Sequence, residues 1–328
     1  MLTEKIYATY TVFDTSANLV KICAHLFRQQ KRTWSMLADG CASLENVRTR
    51  AVECSGYTVS LQFNPRRIVS TNASVDEASI RARKCFLCAD NLPADQKGIL
   101  YKDQMIILCN PAPLFTGHLT IAHVEHRPQR IRPALEMFLG LSKELAPDYT
   151  LFYNGPKCGA SAPDHLHFHA APAGAIPIGK ESEVPARRFA VTNVSGTTIL
   201  LLEGLGREVV VLEGNDPSML VELTHRLLDA LEPPDSSDGE PMVNIICGHA
   251  RGSWRILVFP RRKHRPSVFF NEGEGKVLIS PAAVDMGGLI ITPLEKDFLS
   301  ITPEVIEQIY AEVSLGRETV VDALREVA

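Results

Sequence analysis

With 328 residues, 45% of them apolar and 22% charged, the sequence describes a globular chain long enough for one large domain or two ordinary ones. A formal net charge of −4 argues against a general polyanion binder, and so against a nucleic-acid partner, while leaving room for a local basic pocket that takes a phosphorylated small molecule. No stretch approaches the roughly 20 apolar residues of a membrane helix, and the opening MLTEKIYATY lacks the basic start and apolar run of a secretory signal, so no membrane partner and a cytoplasmic location are expected.

Residues 1–55 carry no motif with a chemical reading, although NLVKICAHLFRQQ within this stretch has helical character. In GYTVSLQFNPRR, Val59, Leu61 and Phe63 recur at every second residue, which predicts a half-buried strand. QMIILCNPAPLFTGHLTIAH (104–123) predicts two strands around a Pro-rich turn, followed by a helix near 133–145 and a strand at DYTLFYNG. TTILLLEGLGREVVVLEG (197–214) predicts a hairpin that turns at Gly204 and Gly206. Asp216 caps a helix with Pro217 at its first position, and Met219, Leu220, Leu223, Leu227, Leu228 and Leu231 form its core-facing stripe. EPPDSSDGEP (232–241) reads as a flexible loop, and a last helix opening at Thr302-Pro303-Glu304 is expected to run close to the C-terminus.

Strands outnumber helices and most are joined by hairpin-like turns, which favours an α+β fold with an antiparallel sheet. GHLTIAHVEHRPQRI (117–131) echoes WRILVFPRRKHRPSVF (254–269), with His126-Arg127-Pro128 and His264-Arg265-Pro266 as matching points. Their separation of about 138 residues suits a duplicated domain.

The chemistry concentrates in NGPKCGASAPDHLHFHAAPAG. Side chains alternate along a strand, so His165, His167 and His169 share one face while Leu166 and Phe168 enter the core. The small residues Gly159, Ala160 and Ser161 just before them let backbone N–H groups approach an anion, and Ser161 adds a hydroxyl donor. Neutral imidazole attacks phosphorus well, a phosphohistidine divides a hard transfer into two steps, and a neighbouring histidine can stabilise charge or pass a proton. A purely structural triplet and a metal-only site are the other readings of the same residues. Cys85-x-x-Cys88 has the spacing of two thiolates on one tetrahedral metal; a metal-free buried cluster and a redox pair are its alternatives. The remaining six cysteines are irregularly placed, so reduced thiols are expected rather than a disulfide framework.

HLHFHAA resembles the His-x-His-x-His signature of the histidine-triad superfamily. ASAPDHLHF, together with LQFNPRR and SPAAVDMGG, is similar to its galactose-1-phosphate uridylyltransferase branch, which also holds diadenosine tetraphosphate phosphorylases and GDP-hexose phosphorylases. The similarity touches segments from about 57 to 295, and the histidine block is its specific part. The resemblance implies two duplicated histidine-triad-like halves: residues 1–190, with the triad and a zinc site, and a degenerate second half, 191–328. It implies a nucleotidyltransferase or phosphorylase acting on a nucleoside diphosphate sugar or a dinucleoside polyphosphate, with phosphate or a sugar phosphate as acceptor.

The same resemblance distributes roles. His167, the middle histidine, would carry the nucleotidyl group, assisted by His169 and Ser161. Asn154, Gly159 and Ser161 fall on the loop that holds the non-reacting phosphate. Asn110 falls at a ribose or phosphate contact, and Arg66 and Arg67 fall where nucleotide phosphates or sugar are met. Asn110 also reads as a turn residue before Pro111, the arginines as a surface turn, and His118 as a residue that packs or hydrogen-bonds structurally. His126 and His165 would complete a structural zinc site with Cys85 and Cys88, with His123 as an alternative ligand. The transferase branch usually has glutamine two positions after the nucleophile; His169 stands there instead, as in the hydrolytic triad proteins. A nucleotide hydrolase and a non-catalytic zinc-bearing binding module are therefore the competing functions, and a homodimer is a further expectation.

Overall fold

Short runs of β-branched and aliphatic residues, punctuated by Gly, Pro and Asn, set the architecture. The protein is described by a computed structural model covering residues 2–11, 18–72, 75–233 and 239–327. Among these residues the strands are β1 (Ile6–Tyr10), β2 (Arg48–Glu53), β3 (Thr58–Phe63), β4 (Gly98–Tyr101), β5 (Met105–Cys109), β6 (Leu119–His123) and β7 (Tyr149–Asn154). They continue as β8 (His167–Pro172), β9 (Arg188–Val194), β10 (Thr197–Leu202), β11 (Val209–Gly214), β12 (Val243–Ala250), β13 (Ser253–Pro260) and β14 (Leu289–Thr292). Helices flank them, so the fold is α+β.

Eleven of the described strands form one sheet in the order β1-β4-β5-β6-β8-β7-β12-β13-β11-β10-β9, and β14-β3-β2 form a second. Within the large sheet β4-β5-β6-β8-β7 and β9-β10-β11-β13-β12 repeat one order: first, second, third, fifth, fourth. In each set a helix joins third strand to fourth, Leu135–Glu144 in one and Pro217–Leu231 in the other. The two sets meet where β7 pairs antiparallel with β12, Asn154 opposite Asn244. This equivalence matches β6 with β11 and β8 with β13. The echo between 117–131 and 254–269 instead joins a third strand to a fifth, so it is out of register. An apolar strand that exits through a basic turn is a general composition and does not mark position.

Two pairings depart from the antiparallel expectation. β1 runs parallel to β4 at one edge, and β14 runs parallel to β3. The boundary expected at 190/191 falls inside β9. The last helix is broken as well: Pro303–Val313 ends at Ser314, and Arg317–Val327 starts afresh. Ser314 and Leu315 are drawn to the end of β13, where Leu315 N donates to Pro260 O at 3.0 Å. Elsewhere the sequence signals hold. Asn18 Oδ1 accepts from Lys21 N at 3.0 Å to open the helix Leu19–Thr33, and Asp216 Oδ1 accepts from Ser218 N at 2.9 Å. Gly206 turns the β10–β11 hairpin with φ +69°, and a Cβ there would lie 2.2 Å from the Tyr57 hydroxyl. Of the loop 232–241, residues 234–238 lie outside the described residues.

One face of the large sheet buries Phe168, Tyr153, Phe138 and the leucine stripe of Pro217–Leu231. The other face packs Phe152, Ile246 and Leu257 against Val59, Leu61 and Ile290 of the small sheet and against Tyr310. β8 lies inside the large sheet, held by β6 and β7, so its side chains project from a rigid platform. No helix among the described residues is long and apolar enough to cross a membrane.

Candidate active site

Alternation along β8 sends Phe168 and Ala170 into one core and His167 and His169 to the opposite face. There a cavity of about 600 Å³ opens, and His167, His169, Ser161, Asn110, Asn154, Gly159, Arg66 and Arg67 all line it. Segments scattered over more than 100 residues of sequence thus converge on one space.

His167 is 2% exposed, and its Nδ1 lies 2.7 Å from the carbonyl oxygen of His165. A carbonyl only accepts, so Nδ1 carries the proton and Nε2 the lone pair. Burial drives the pKa of this ring down to about 4, which keeps it neutral and nucleophilic at neutral pH. The strand is clamped by Gln129, whose Oε1 accepts from His167 N at 2.7 Å and whose Nε2 donates to the carbonyls of His167 and Asn154, both at 2.9 Å.

His169 stacks on Phe152, with ring centroids 5.0 Å apart, and its Nδ1 lies 3.2 Å from Nε2 of His118. Burial first, then the neighbouring His167, His118 and Arg67, push its pKa well below the ordinary histidine value. His118 is buried and hydrogen-bonded, as the sequence suggested: its Nδ1 accepts from Leu114 N at 3.3 Å. Asn110 holds a turn, with Oδ1 accepting from Ala112 N at 2.9 Å and Nδ2 donating to Thr120 Oγ1 at 2.9 Å, and it also lines the cavity.

Asn154 is oriented by its neighbours. Its Oδ1 accepts from Asn244 Nδ2 at 3.0 Å and from Ala283 N at 2.8 Å, which leaves Nδ2 to donate. Asn244 is in turn fixed by Arg261, whose Nη1 donates to its Oδ1 at 2.5 Å and to Pro281 O at 3.0 Å. Gly159 has φ +90°, and a Cβ there would meet Ala282 Cβ at 2.6 Å, so only glycine lets the small-residue loop close against 280–283. Arg67 donates through Nη1 to Ala112 O at 3.0 Å. Burial lowers its pKa, and the Asp285 carboxylate opposes that. Asp285 accepts from Ala282 N at 3.0 Å and Ile291 N at 2.9 Å, and burial raises its pKa to about 6.

Beside this cavity Cys85, Cys88, His126 and His165 place one ligand atom each within 4.8 Å of the others. Cys85 Sγ is 3.3 Å from His165 Nδ1, Cys88 Sγ 3.3 Å from His126 Nδ1, and Cys88 Sγ 3.6 Å from His165 Nδ1. Tetrahedral zinc with ordinary Zn–S and Zn–N bonds would hold such atoms about 3.3–3.8 Å apart, so the donor set and its spacing fit a metal ion. The outer contacts fit too. His165 Nε2 donates to the carbonyl of His123 at 2.8 Å, which turns the Nδ1 lone pair to the cluster. His123 lies outside this cluster: its Nδ1 accepts from Glu125 N at 3.0 Å, and its carbonyl serves His165.

Sequence reasoning missed Gln129, Asn244 and Arg83, and read Arg261 only as part of the basic strand end PRRKHRP, to contact a partner subunit, a substrate phosphate or water. Arg83 also lines the cavity, bonding Ser161 O at 3.3 Å and Asp164 Oδ1 at 2.9 Å. Polar residues buried in otherwise apolar strands were the available signal for Asn244. The others lie in turns and give no sign of the long-range contacts they make. Asp285 belongs to SPAAVDMGG, which carried the resemblance without a role for the residue.

No curated protein matches the chain in sequence. A family model described as a domain of unknown function (DUF4922) matches residues 26–172. Among solved structures, yeast Ap4A phosphorylase Apa2 is similar at 17% identity with a TM-score of 0.58, over 91% of this chain and 94% of that one. The same yeast protein in complex with AMP gives 16% identity and 0.55, over 88% and 96%. In complex with Ap4A it gives 16% and 0.54, over 86% and 97%. The chain has the fold of yeast Ap4A phosphorylase, as its resemblance to the galactose-1-phosphate uridylyltransferase branch of the histidine-triad superfamily implied.

Proposed function

We propose that the protein is a nucleotidyltransferase of the phosphorylase type, acting on a dinucleoside polyphosphate or a nucleoside diphosphate sugar through a nucleotidyl group carried on His167. The observation that carries this reading is the His167 ring: neutral, proton fixed on Nδ1 by the His165 carbonyl, and lining a cavity of about 600 Å³ with Asn154, Ser161 and Arg67.

The Nε2 lone pair attacks the α-phosphorus. The bond from that phosphorus to the bridging oxygen breaks, and the rest of the substrate, a nucleoside polyphosphate or a sugar phosphate, leaves with the electron pair. The ring, still protonated on Nδ1, now carries positive charge that the His165 carbonyl stabilises. In the second half an acceptor phosphate oxygen attacks the same phosphorus, the nitrogen–phosphorus bond breaks, and its electron pair returns to Nε2. Asn154 Nδ2, the Gly159–Ser161 loop and the arginines hold the phosphate oxygens while charge moves.

Yeast Ap4A phosphorylase, whose structures include complexes with Ap4A and AMP, supports a nucleotide as substrate through the shared fold. We assign the Cys85, Cys88, His126 and His165 cluster to structural zinc, which when bound fixes the strand that carries His167. Residues 1–187 and 188–328 are then the two halves, the second without a triad.

Incubation with Ap4A and with GDP-hexoses, with and without inorganic phosphate, tests the function. Turnover that requires phosphate and yields a nucleoside diphosphate is expected. Turnover that proceeds equally in its absence and yields a nucleoside monophosphate assigns the hydrolase instead. No turnover with either substrate class, with metal bound, leaves the binding module.

A further inference from the structure

Resting on that reading, we infer that His169 serves as a neutral hydrogen-bond donor to the transferring group, locked in this tautomer by His118, and that the acceptor is consequently a phosphate anion rather than water.

The lock starts at a backbone amide. Leu114 N donates to His118 Nδ1 at 3.3 Å, so that nitrogen carries a lone pair and the proton of a neutral His118 resides on Nε2. Nε2 is 3.2 Å from Nδ1 of His169 and donates to it. A second donor reaches the same atom. Thr120 Oγ1 accepts from Asn110 Nδ2 at 2.9 Å, which leaves its own hydrogen to point at His169 Nδ1, 3.5 Å away. With Nδ1 accepting twice, the one proton of a neutral His169 is on Nε2.

The surroundings hold both rings neutral. Phe152 covers one face of His169, and His167, His118 and Arg67 are the charged or titratable groups that act on it. The one carboxylate lining the cavity among the described residues, Asp285, is engaged by Ala282 N and Ile291 N. Burial keeps the His118 pKa at about 3.

The chemical consequence follows from counting protons. The neutral pair has two, one on each Nε2. Surrender of the His169 proton to a leaving oxygen would create an imidazolate, and a shift of the His118 proton would only move that anion. The pair can therefore donate a hydrogen bond but not a proton. It cannot take a proton from water either, because Nε2 is already protonated and Nδ1 is capped by two donors. An amide –NH₂ has these same properties, which matches the glutamine usual at this position in the transferase branch. A departing polyphosphate or sugar phosphate oxygen is a weak base and leaves unprotonated. An acceptor phosphate oxygen is already anionic and attacks without a base, whereas water has none available.

The test combines histidine nitrogen NMR on the metal-loaded full chain with two variants. In the wild type, His169 is expected to show an unprotonated Nδ1 and a protonated Nε2 across neutral pH; an imidazolium or an Nδ1–H tautomer overturns the inference. His169→Gln is expected to keep phosphate-dependent turnover within about 10-fold and an unchanged pH profile. A loss of about 100-fold or more, the ordinary worth of a general acid or base, with nucleotide affinity unchanged, overturns it. His118→Phe removes one donor to Nδ1, so a new pH dependence near neutrality and a higher ratio of hydrolysis to phosphorolysis are expected. An unchanged profile and ratio count against the lock. Full activity of His167→Ala would instead overturn the nucleotidyl-histidine reading while leaving the tautomer result standing.

Discussion

His165 joins the two sites through opposite ends of one residue. Its carbonyl oxygen accepts the Nδ1 proton of His167 at 2.7 Å, while its ring contributes Nδ1 to the cluster with Cys85, 3.3 Å away. A metal ion there would fix the backbone that sets the tautomer of His167. Chelation, or Cys85→Ser, is expected to slow nucleotidylation of His167 by about 10–100-fold while circular dichroism stays native. Metal content measured alongside the adduct yield checks this. An unaltered rate in metal-free protein would mean that the strand holds its own geometry.

Gly159 is the position where the small-residue loop before β8 meets 280–283. Its φ of +90° and the 2.6 Å approach to Ala282 leave no room for a side chain. Gly159→Ala is expected to cost about 1–3 kcal/mol in urea denaturation and to weaken AMP binding, because relief of the clash moves Ser161.

Asn244 passes the orientation set by Arg261 to Asn154. Asn244→Asp keeps an acceptor for Arg261 but can no longer donate to Asn154 Oδ1 at 3.0 Å or to Cys158 O at 2.7 Å. The variant is expected to fold and to bind AMP about 10-fold more weakly by calorimetry, the worth of one misplaced charge-assisted hydrogen bond. Unchanged affinity would show that Asn154 is aimed by Ala283 N alone.

Glu240 supplies the pH dependence. It accepts from Tyr153 and from Ile131 N at 2.7 Å, and burial raises its pKa from 4.5 to about 7. The folded state thus binds a proton that the unfolded state releases at lower pH. The stabilisation is complete below the unfolded value and is lost as pH rises through about 7. Glu240→Gln has no such titration, so wild type is expected to lose up to about 3 kcal/mol relative to this variant between acid and mildly alkaline pH. Denaturation curves for both proteins across that range measure the difference. A difference that does not vary with pH refutes the assignment.

What the sequence made legible was local. Period-two apolar residues placed β3, apolar runs around a Pro-rich turn placed β5 and β6, and Asp216-Pro217 placed its helix, because such elements are written in neighbouring residues. The histidine face of β8 was legible for the same reason. Parallel pairing of β1 with β4 and of β14 with β3 joins segments about 90 and 230 residues apart, and nothing in either partner's own pattern names the other. The roles of Gln129 and Arg261 were not legible because each acts through contacts with residues distant in sequence. The internal echo pointed to a repeat that the strand order supports, but matched the wrong strands, because composition repeats more readily than topology.

The most direct measurement is mass spectrometry of the quenched protein after a brief incubation with Ap4A or a GDP-hexose without phosphate. The proposal requires one acid-labile nucleotidyl adduct on His167, lost on addition of phosphate and missing in His167→Ala. Catalytic turnover with no adduct on that residue, or an adduct that survives the substitution, would contradict it.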